Sequence, residues 1–212
     1  MFGDNPSHFD LIYIGALSLS CVFCWKDKDT LGALVILLGL WGLSRLLYIL
    51  PDSLYTLPFV YIFCCVTSLC CLTQTTAKIT LIITIYSSGA EVLWWWIDYV
   101  DKPQVHYFVG LLAITVLARE LLLKRVFILS EYFGFISGKI ALDWQIKNVL
   151  LVGYLLVLLM VLEYFVRHLG GFKDVTFVYY SFSFIGTIIS GITLALIYMH
   201  YFYNQSKKHL TA

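Results

Sequence analysis

Charged residues are scarce in this sequence. Only 13% of the 212 residues are Asp, Glu, Lys or Arg, whereas 60% are hydrophobic, and the mean hydropathy is +0.85. A soluble globular domain carries about twice that share of charged residues, so the composition excludes most soluble classes. The net charge of +1 creates no basic field for a polyanion, and we therefore expect no nucleic-acid partner.

Motifs that mark common catalytic and cofactor sites are also missing. The chain contains no His-Glu-x-x-His zinc motif, no Walker A sequence and no paired aspartates within its apolar runs. Histidine is absent from the first four apolar runs, and His106 and His200 fall at opposite ends of the predicted bundle, which argues against a haem held between helices. We therefore predict no metal and no cofactor, and the sequence favours a protein that is not an enzyme.

Apolar runs long enough to cross a bilayer are abundant by contrast. A helix needs about 20 apolar residues to span the hydrocarbon core, and seven segments qualify. The sequence thus predicts an all-α fold, a single polytopic transmembrane bundle over residues 1–212 in contact with the lipid bilayer. The predicted spans are 9–25, 31–50, 57–76, 79–98, 105–123, 148–166 and 175–203. Because only Gln74 to Lys78 separate the third from the fourth, six spans with one re-entrant segment stay an alternative.

Basic residues are divided unevenly between the connections on the two sides of this bundle. Lys and Arg favour the cytoplasmic side of a membrane, so we predict a cell-membrane protein with its N-terminus outside and its C-terminus in the cytoplasm. In that orientation nine basic residues lie inside, namely Lys26, Lys28, Lys78, Lys124, Arg125, Lys139, Lys147, Lys207 and Lys208. Three lie outside, namely Lys102, Arg167 and Lys173.

The longest connection, residues 126–147, has a helical pattern of its own. Apolar residues recur at three- and four-residue spacing on one face, and Lys139, Asp143 and Lys147 recur on another. We predict an amphipathic helix lying on the cytoplasmic surface of the membrane. The alternative is a cytoplasmic extension of the fifth span packed on the bundle.

Ionisable residues within spans are the best pointers to a site, because each is costly in lipid unless it is paired or hydrated. Arg45, Glu91 and Glu163 lie in the outer halves of their spans, and His106 begins the fifth span on the same side. Arg45 follows Trp41 by four residues, so its guanidinium can rest on the indole ring. We predict that these five residues line an outward-facing polar pocket for a ligand or ion. The alternative is a structural Arg45–Glu91 ion pair.

Two further patterns concern helix packing. Ser183, Thr187, Gly191 and Ala195 are spaced by four and form a stripe of small residues along the seventh span, which favours close helix–helix approach within the bundle or with another copy of the chain. The six cysteines fall in the middle or inner half of the first and third spans, where we expect reduced packing residues.

Two classes of function fit these observations. The first is a small transporter or channel that uses the outward-facing pocket. The second is a membrane-embedded scaffold or sensor subunit that forms homo-oligomers or recruits a cytoplasmic partner protein. The sequence favours the first, because three ionisable residues at similar depth suggest a site.

Overall fold

The computed structural model describes residues 6–50, 56–99, 105–133, 140–172 and 174–210, which form seven α-helices and no strand. The predicted all-α fold class is therefore confirmed. The helices are α1 (Pro6–Phe23), α2 (Lys28–Ile49), α3 (Thr56–Cys70), α4 (Thr75–Trp96), α5 (Val105–Phe133), α6 (Ile140–His168) and α7 (Phe177–Leu210).

The third and fourth predicted spans correspond to separate helices. α3 ends at Cys70, and the backbone N–H of Gln74 donates to the carbonyl of Cys71 at 3.0 Å in the turn before α4. The polar residues Thr73 and Gln74 interrupt the apolar run at this turn, so one long helix is avoided.

Within the described residues, three helical segments are long and apolar enough to cross a membrane: Thr30–Ile49, Ala141–His168 and Phe177–Asn204. Leu11–Phe23 and Thr56–Cys70 are apolar helices of shorter length. These segments indicate a membrane protein. They support the predicted count of seven spans only in part.

Residues 126–147 do not form the separate surface helix that the sequence predicted. α5 continues to Phe133, and α6 already begins at Ile140, while residues 134–139, including Lys139, lie outside the described part of the chain. Asp143 is 2% exposed, so it does not belong to a solvated face as the surface helix required. The prediction is wrong because the ends of two packed helices show the same apolar periodicity as one surface helix.

The chain divides into two compact units, each with its own contacts. Unit 1 comprises Met1–Trp41, Ala118–Gly153 and Ser183–Ala212, and unit 2 comprises Gly42–Leu117 and Tyr154–Phe182. The core of unit 1 is built from apolar side chains of all its helices, among them Leu17, Leu34, Leu122, Ile146 and Ile197. All five of these side chains are fully buried.

Unit 1 also contains the most buried ion pair among the described residues. The guanidinium of Arg125 on α5 donates from Nε to Asp143 Oδ1 at 2.9 Å and from Nη2 to Asp143 Oδ2 at 2.8 Å. The two side chains are 3% and 2% exposed. This bidentate pair joins the end of α5 to the start of α6.

In unit 2, α4 turns its polar side inward. Its buried residues include Thr76, Thr80, Thr84, Ser87 and Glu91, whereas its exposed residues are largely apolar, such as Ile82, Ile85, Val92 and Trp96. A helix that faces water shows the opposite distribution. An apolar outer face is what contact with lipid requires, so α4 agrees with a location in a membrane.

The polar face of α4 is held to α6 through Tyr154. The phenolic oxygen of Tyr154 lies 3.0 Å from the Thr80 hydroxyl and donates to the carbonyl of Thr76 at 3.0 Å, and all three residues are buried. These hydrogen bonds satisfy polar groups that would be expensive to bury alone. They fix the rotation of α4 and thereby the direction in which Glu91 faces.

α2 and α5 approach closely at Gly110, also in unit 2. A Cβ at this glycine would lie 2.5 Å from Cδ1 of Leu47. Glycine therefore lets the buried Leu47 side chain pack directly against the α5 backbone, a short distance along α5 from His106.

Candidate functional site

The side chains of Glu91 and His106 approach each other in unit 2. The His106 Nδ1 atom lies 3.6 Å from Glu91 Oε1. Glu91 lies near the end of α4 and His106 is the second residue of α5, so the connection between these helices brings the two residues to the same end of the unit. The alternative prediction paired Glu91 with Arg45, whereas the contact seen in the structure is with His106.

The Glu91 carboxylate is buried but has few polar partners. Glu91 is 8% exposed and His106 is 6% exposed. Neither carboxylate oxygen has a hydrogen-bond partner among the described residues, and the distance to His106 exceeds that of a good hydrogen bond. Burial of an ionised carboxylate without hydrogen bonds is unfavourable, and such groups often mark functional sites.

A cavity of about 430 Å³ adjoins this carboxylate between α3 and α4. From α3 it is lined by Leu57, Pro58, Tyr61 and Ile62. From α4 it is lined by Ser88, Glu91, Val92 and Trp95. Ile62, Val92 and Trp95 are exposed, so the cavity opens to the outside of the protein. Its size is that of a site for a small organic molecule.

An aromatic cluster follows Glu91 along α4. Trp94 is almost fully buried, and its ring centroid lies 6.3 Å from that of Tyr99 and 6.2 Å from that of His168. The Tyr99 hydroxyl lies 3.2 Å from Nδ1 of His168. These contacts hold the end of α4 against α6 and so restrict movement of the part of α4 that lines the cavity.

The Glu163 carboxylate accepts hydrogen bonds from the backbone of α7. Its Oε2 accepts the N–H of Val178 at 2.6 Å, and its Oε1 accepts the N–H of Tyr179 at 3.0 Å. These amides belong to the first turn of α7, where N–H groups lack helical partners and the helix dipole favours negative charge. Both oxygens of this buried carboxylate are thus engaged, and Glu163 holds α7 to α6.

The two remaining pocket candidates each contact an aromatic ring. In unit 2, the guanidinium carbon of Arg45 lies 5.8 Å from the ring centroid of Tyr48, within range of a cation–π interaction. In unit 1, the ring of Trp41 packs against Tyr13 with centroids 4.7 Å apart. Stacking of Arg45 on Trp41 stays a prediction. Of the five residues predicted to share one pocket, the structure brings Glu91 and His106 into direct contact.

The small-residue stripe lies on the outside of α7. Ser183, Thr187, Gly191 and Ala195 are all exposed, and a Cβ at Gly191 would meet no atom within 4 Å. Their role in helix packing stays a prediction, and the surface they form is open to a partner.

The cysteines do not create a second site among the described residues. None of the six, all within the described residues, forms a disulfide; Cys24, Cys64 and Cys71 are buried, and Cys70 is exposed. In the part of the chain that the structure describes, no three His, Cys, Asp or Glu side chains come together to hold a metal ion.

Sequence reasoning missed the residues that line the cavity with Glu91, among them Tyr61 and Ser88, and the Tyr154 contact that orients α4. A signal was present in α4, where Thr76, Thr80, Thr84, Ser87 and Glu91 recur at three- and four-residue spacing. This polar stripe predicts a helix whose polar side faces the protein interior.

No protein-family model matches the chain, and comparisons with curated proteins and with solved structures find no significant match. The class that the fold supports is a helical membrane protein. Its function has to be inferred from the Glu91–His106 pair and the cavity beside it.

Proposed function

We propose that this chain is a small multi-pass membrane protein that transports a solute through a site centred on Glu91 and His106. The observation that carries the proposal is the buried Glu91 carboxylate, which lacks hydrogen bonds and lies beside an open cavity of about 430 Å³. An intramembrane ionisable group of this kind is a typical feature of a substrate or ion pathway. A channel would use the same residues in a path that is open to both sides of the membrane at once.

The proposed orientation has the N-terminus outside and seven membrane crossings. The nine-to-three distribution of basic residues supports it. With this orientation the end of α4, the start of α5 and the cavity would face outward, while Arg125 and Asp143 would lie on the cytoplasmic side. The site would then lie in the outer half of the bundle, with its opening on the exposed face of α4 that includes Val92.

A reporter that is active only in the cytoplasm tests this orientation. Fusion of the reporter after Ala212 should give activity, and insertion between Pro51 and Thr56 should give none, because positively charged connections remain inside. A periplasmic reporter at the same two points is the control and should show the reverse activities. Activity of the cytoplasmic reporter at the Pro51 connection would contradict the proposed topology.

Transport itself is tested with purified protein in proteoliposomes. Charge displacement is recorded on a solid-supported membrane while inorganic cations, organic amines and organic anions are applied in turn. We expect at least one class to produce a current, and we expect Glu91→Gln to reduce it by about tenfold or more, a barrier change of about 1.4 kcal/mol. The substitution keeps the size of the side chain and removes its charge.

Glu131→Gln is the matched control, because Glu131 is exposed on α5 and should carry no part of the pathway. Currents from this variant should equal those of the wild type. If no solute class moves charge or accumulates in the vesicles, or if Glu91→Gln transports as well as the wild type, the transport proposal is wrong.

A scaffold that forms homo-oligomers is the second candidate, and the exposed stripe of Ser183, Thr187, Gly191 and Ala195 favours it. Small residues let helix backbones approach closely in lipid. A protein that crosslinks through a cysteine at Gly191 but shows no transport in the proteoliposomes would support this second function.

A further inference from the structure

The cavity wall is almost entirely apolar; of its few polar groups the Trp95 indole N–H only donates, and the others can accept. The Ser88 hydroxyl donates to the carbonyl of Ile85 at 2.9 Å, so its only proton is used and its lone pairs remain. An ionised Glu91 is an acceptor at both oxygens. The Tyr61 hydroxyl can accept as well as donate, and the wall contains no Lys or Arg.

The rest of the wall is apolar and aromatic. Leu57, Ile62 and Val92 supply aliphatic surface, and Tyr61 and Trp95 supply aromatic rings. Aromatic faces attract cations, and aliphatic surface favours an apolar ligand body. A carboxylate-bearing ligand would be repelled by Glu91, whereas an ammonium ligand would give the carboxylate the charged hydrogen-bond donor that both of its oxygens lack among the described residues.

We propose that the cavity binds an organic monocation with an apolar body, a lipophilic primary amine being the simplest example. Its ammonium group would pair with Glu91, and its apolar part would lie against Tyr61, Ile62 and Trp95. Glu91 lines the cavity, but its carboxylate oxygens are covered by neighbouring atoms. To bind the ammonium group, the side chain would turn away from His106 and toward the cavity. This assignment of a substrate class rests on the proposed transport function.

Three probes with the same apolar body test the assignment: phenylbutylamine, phenylbutanol and phenylbutyrate. Binding to the full chain in nanodiscs is measured by calorimetry, with empty nanodiscs as the correction for partition into lipid. We expect the amine to bind at least about tenfold more tightly than the alcohol and the carboxylate to bind most weakly, because only the amine neutralises Glu91.

Two variants locate the binding. Glu91→Gln should remove the preference for the amine over the alcohol, whereas Glu131→Gln should keep it. Ser88→Leu narrows the cavity and leaves the Glu91 carboxylate unchanged. It should weaken the binding of both the amine and the alcohol.

Equal binding of the amine and the alcohol to the wild type would overturn the assignment, and this result does not depend on whether any variant folds. The outcome also separates the two proposals. Selective amine binding without current in the proteoliposomes would refute transport and leave the ligand class intact. A Glu91-dependent current carried by other solutes, with no preference for the amine, would refute the ligand class and leave transport intact.

Discussion

Replacing Arg125 or Asp143 with alanine is expected to lower the free energy of unfolding by about 3–5 kcal/mol. The two side chains are 3% and 2% exposed and share two hydrogen bonds of 2.9 and 2.8 Å. Removal of one partner leaves the other charge buried without its counter-charge, which costs far more than the pair contributes as a whole. Chemical denaturation in detergent micelles, followed by circular dichroism, measures the change.

The neighbouring Lys124 provides the control. Its Nζ lies 2.7 Å from Glu120 Oε1, but the lysine side chain is 59% exposed, so Lys124→Ala should cost less than about 1 kcal/mol. The double variant Arg125→Ala/Asp143→Ala should be more stable than the sum of the two single changes predicts. If Arg125→Ala and Asp143→Ala each lower the free energy of unfolding as little as Lys124→Ala does, the pair does not hold α5 to α6. The same conclusion follows if the two single effects simply add in the double variant.

Glu163→Ala is expected to lower the free energy of unfolding by about 1.5–3 kcal/mol and to loosen the start of α7. The carboxylate accepts two backbone N–H groups, from Val178 and Tyr179, that have no helical partner. Hydrogen exchange of these two amides, measured by NMR, should accelerate by at least about tenfold, since 1.4 kcal/mol corresponds to that factor.

Glu163→Gln is the matched comparison, because it keeps the side-chain size and one acceptor oxygen while removing the charge. Its effect should lie between those of the wild type and alanine. Unchanged exchange of both amides in Glu163→Ala would mean that the carboxylate does not cap α7, and Glu163 would again be a candidate for ligand binding.

Much of the helical architecture could be predicted because polar residues interrupt the apolar runs. Lys26 and Asp27 lie between α1 and α2, and Gln74 lies between α3 and α4, as expected from the cost of placing such residues in lipid. The surface helix over residues 126–147 was wrong, since periodicity alone does not show what a helical face touches. Asp143 pairs with Arg125 inside unit 1, a contact across 18 residues of sequence that no local pattern reveals.

Two residues of the candidate site, Glu91 and His106, could be named from the sequence, but their contact could not be predicted. Glu91 and His106 stood out because ionisable groups are rare in the apolar runs. The partner of Glu91 depends on which helices adjoin α4 and on how α4 is rotated, and the Tyr154 hydrogen bonds to Thr76 and Thr80 fix that rotation. Glu163 resembled Glu91 in sequence, yet its oxygens are taken up by the α7 backbone, a tertiary contact that spacing does not encode.

Accessibility of a single cysteine at Ser88 tests the central claim most directly. Ser88 lines the cavity beside Glu91, and the Ser88→Cys change is made in a chain whose six native cysteines are replaced by alanine. A membrane-impermeant thiol reagent applied to the outside of right-side-out vesicles should label this cysteine, and phenylbutylamine should slow the labelling. A cysteine that reacts only with lipid-soluble reagents, at a rate that no solute changes, would contradict a solute pathway at Glu91 and His106.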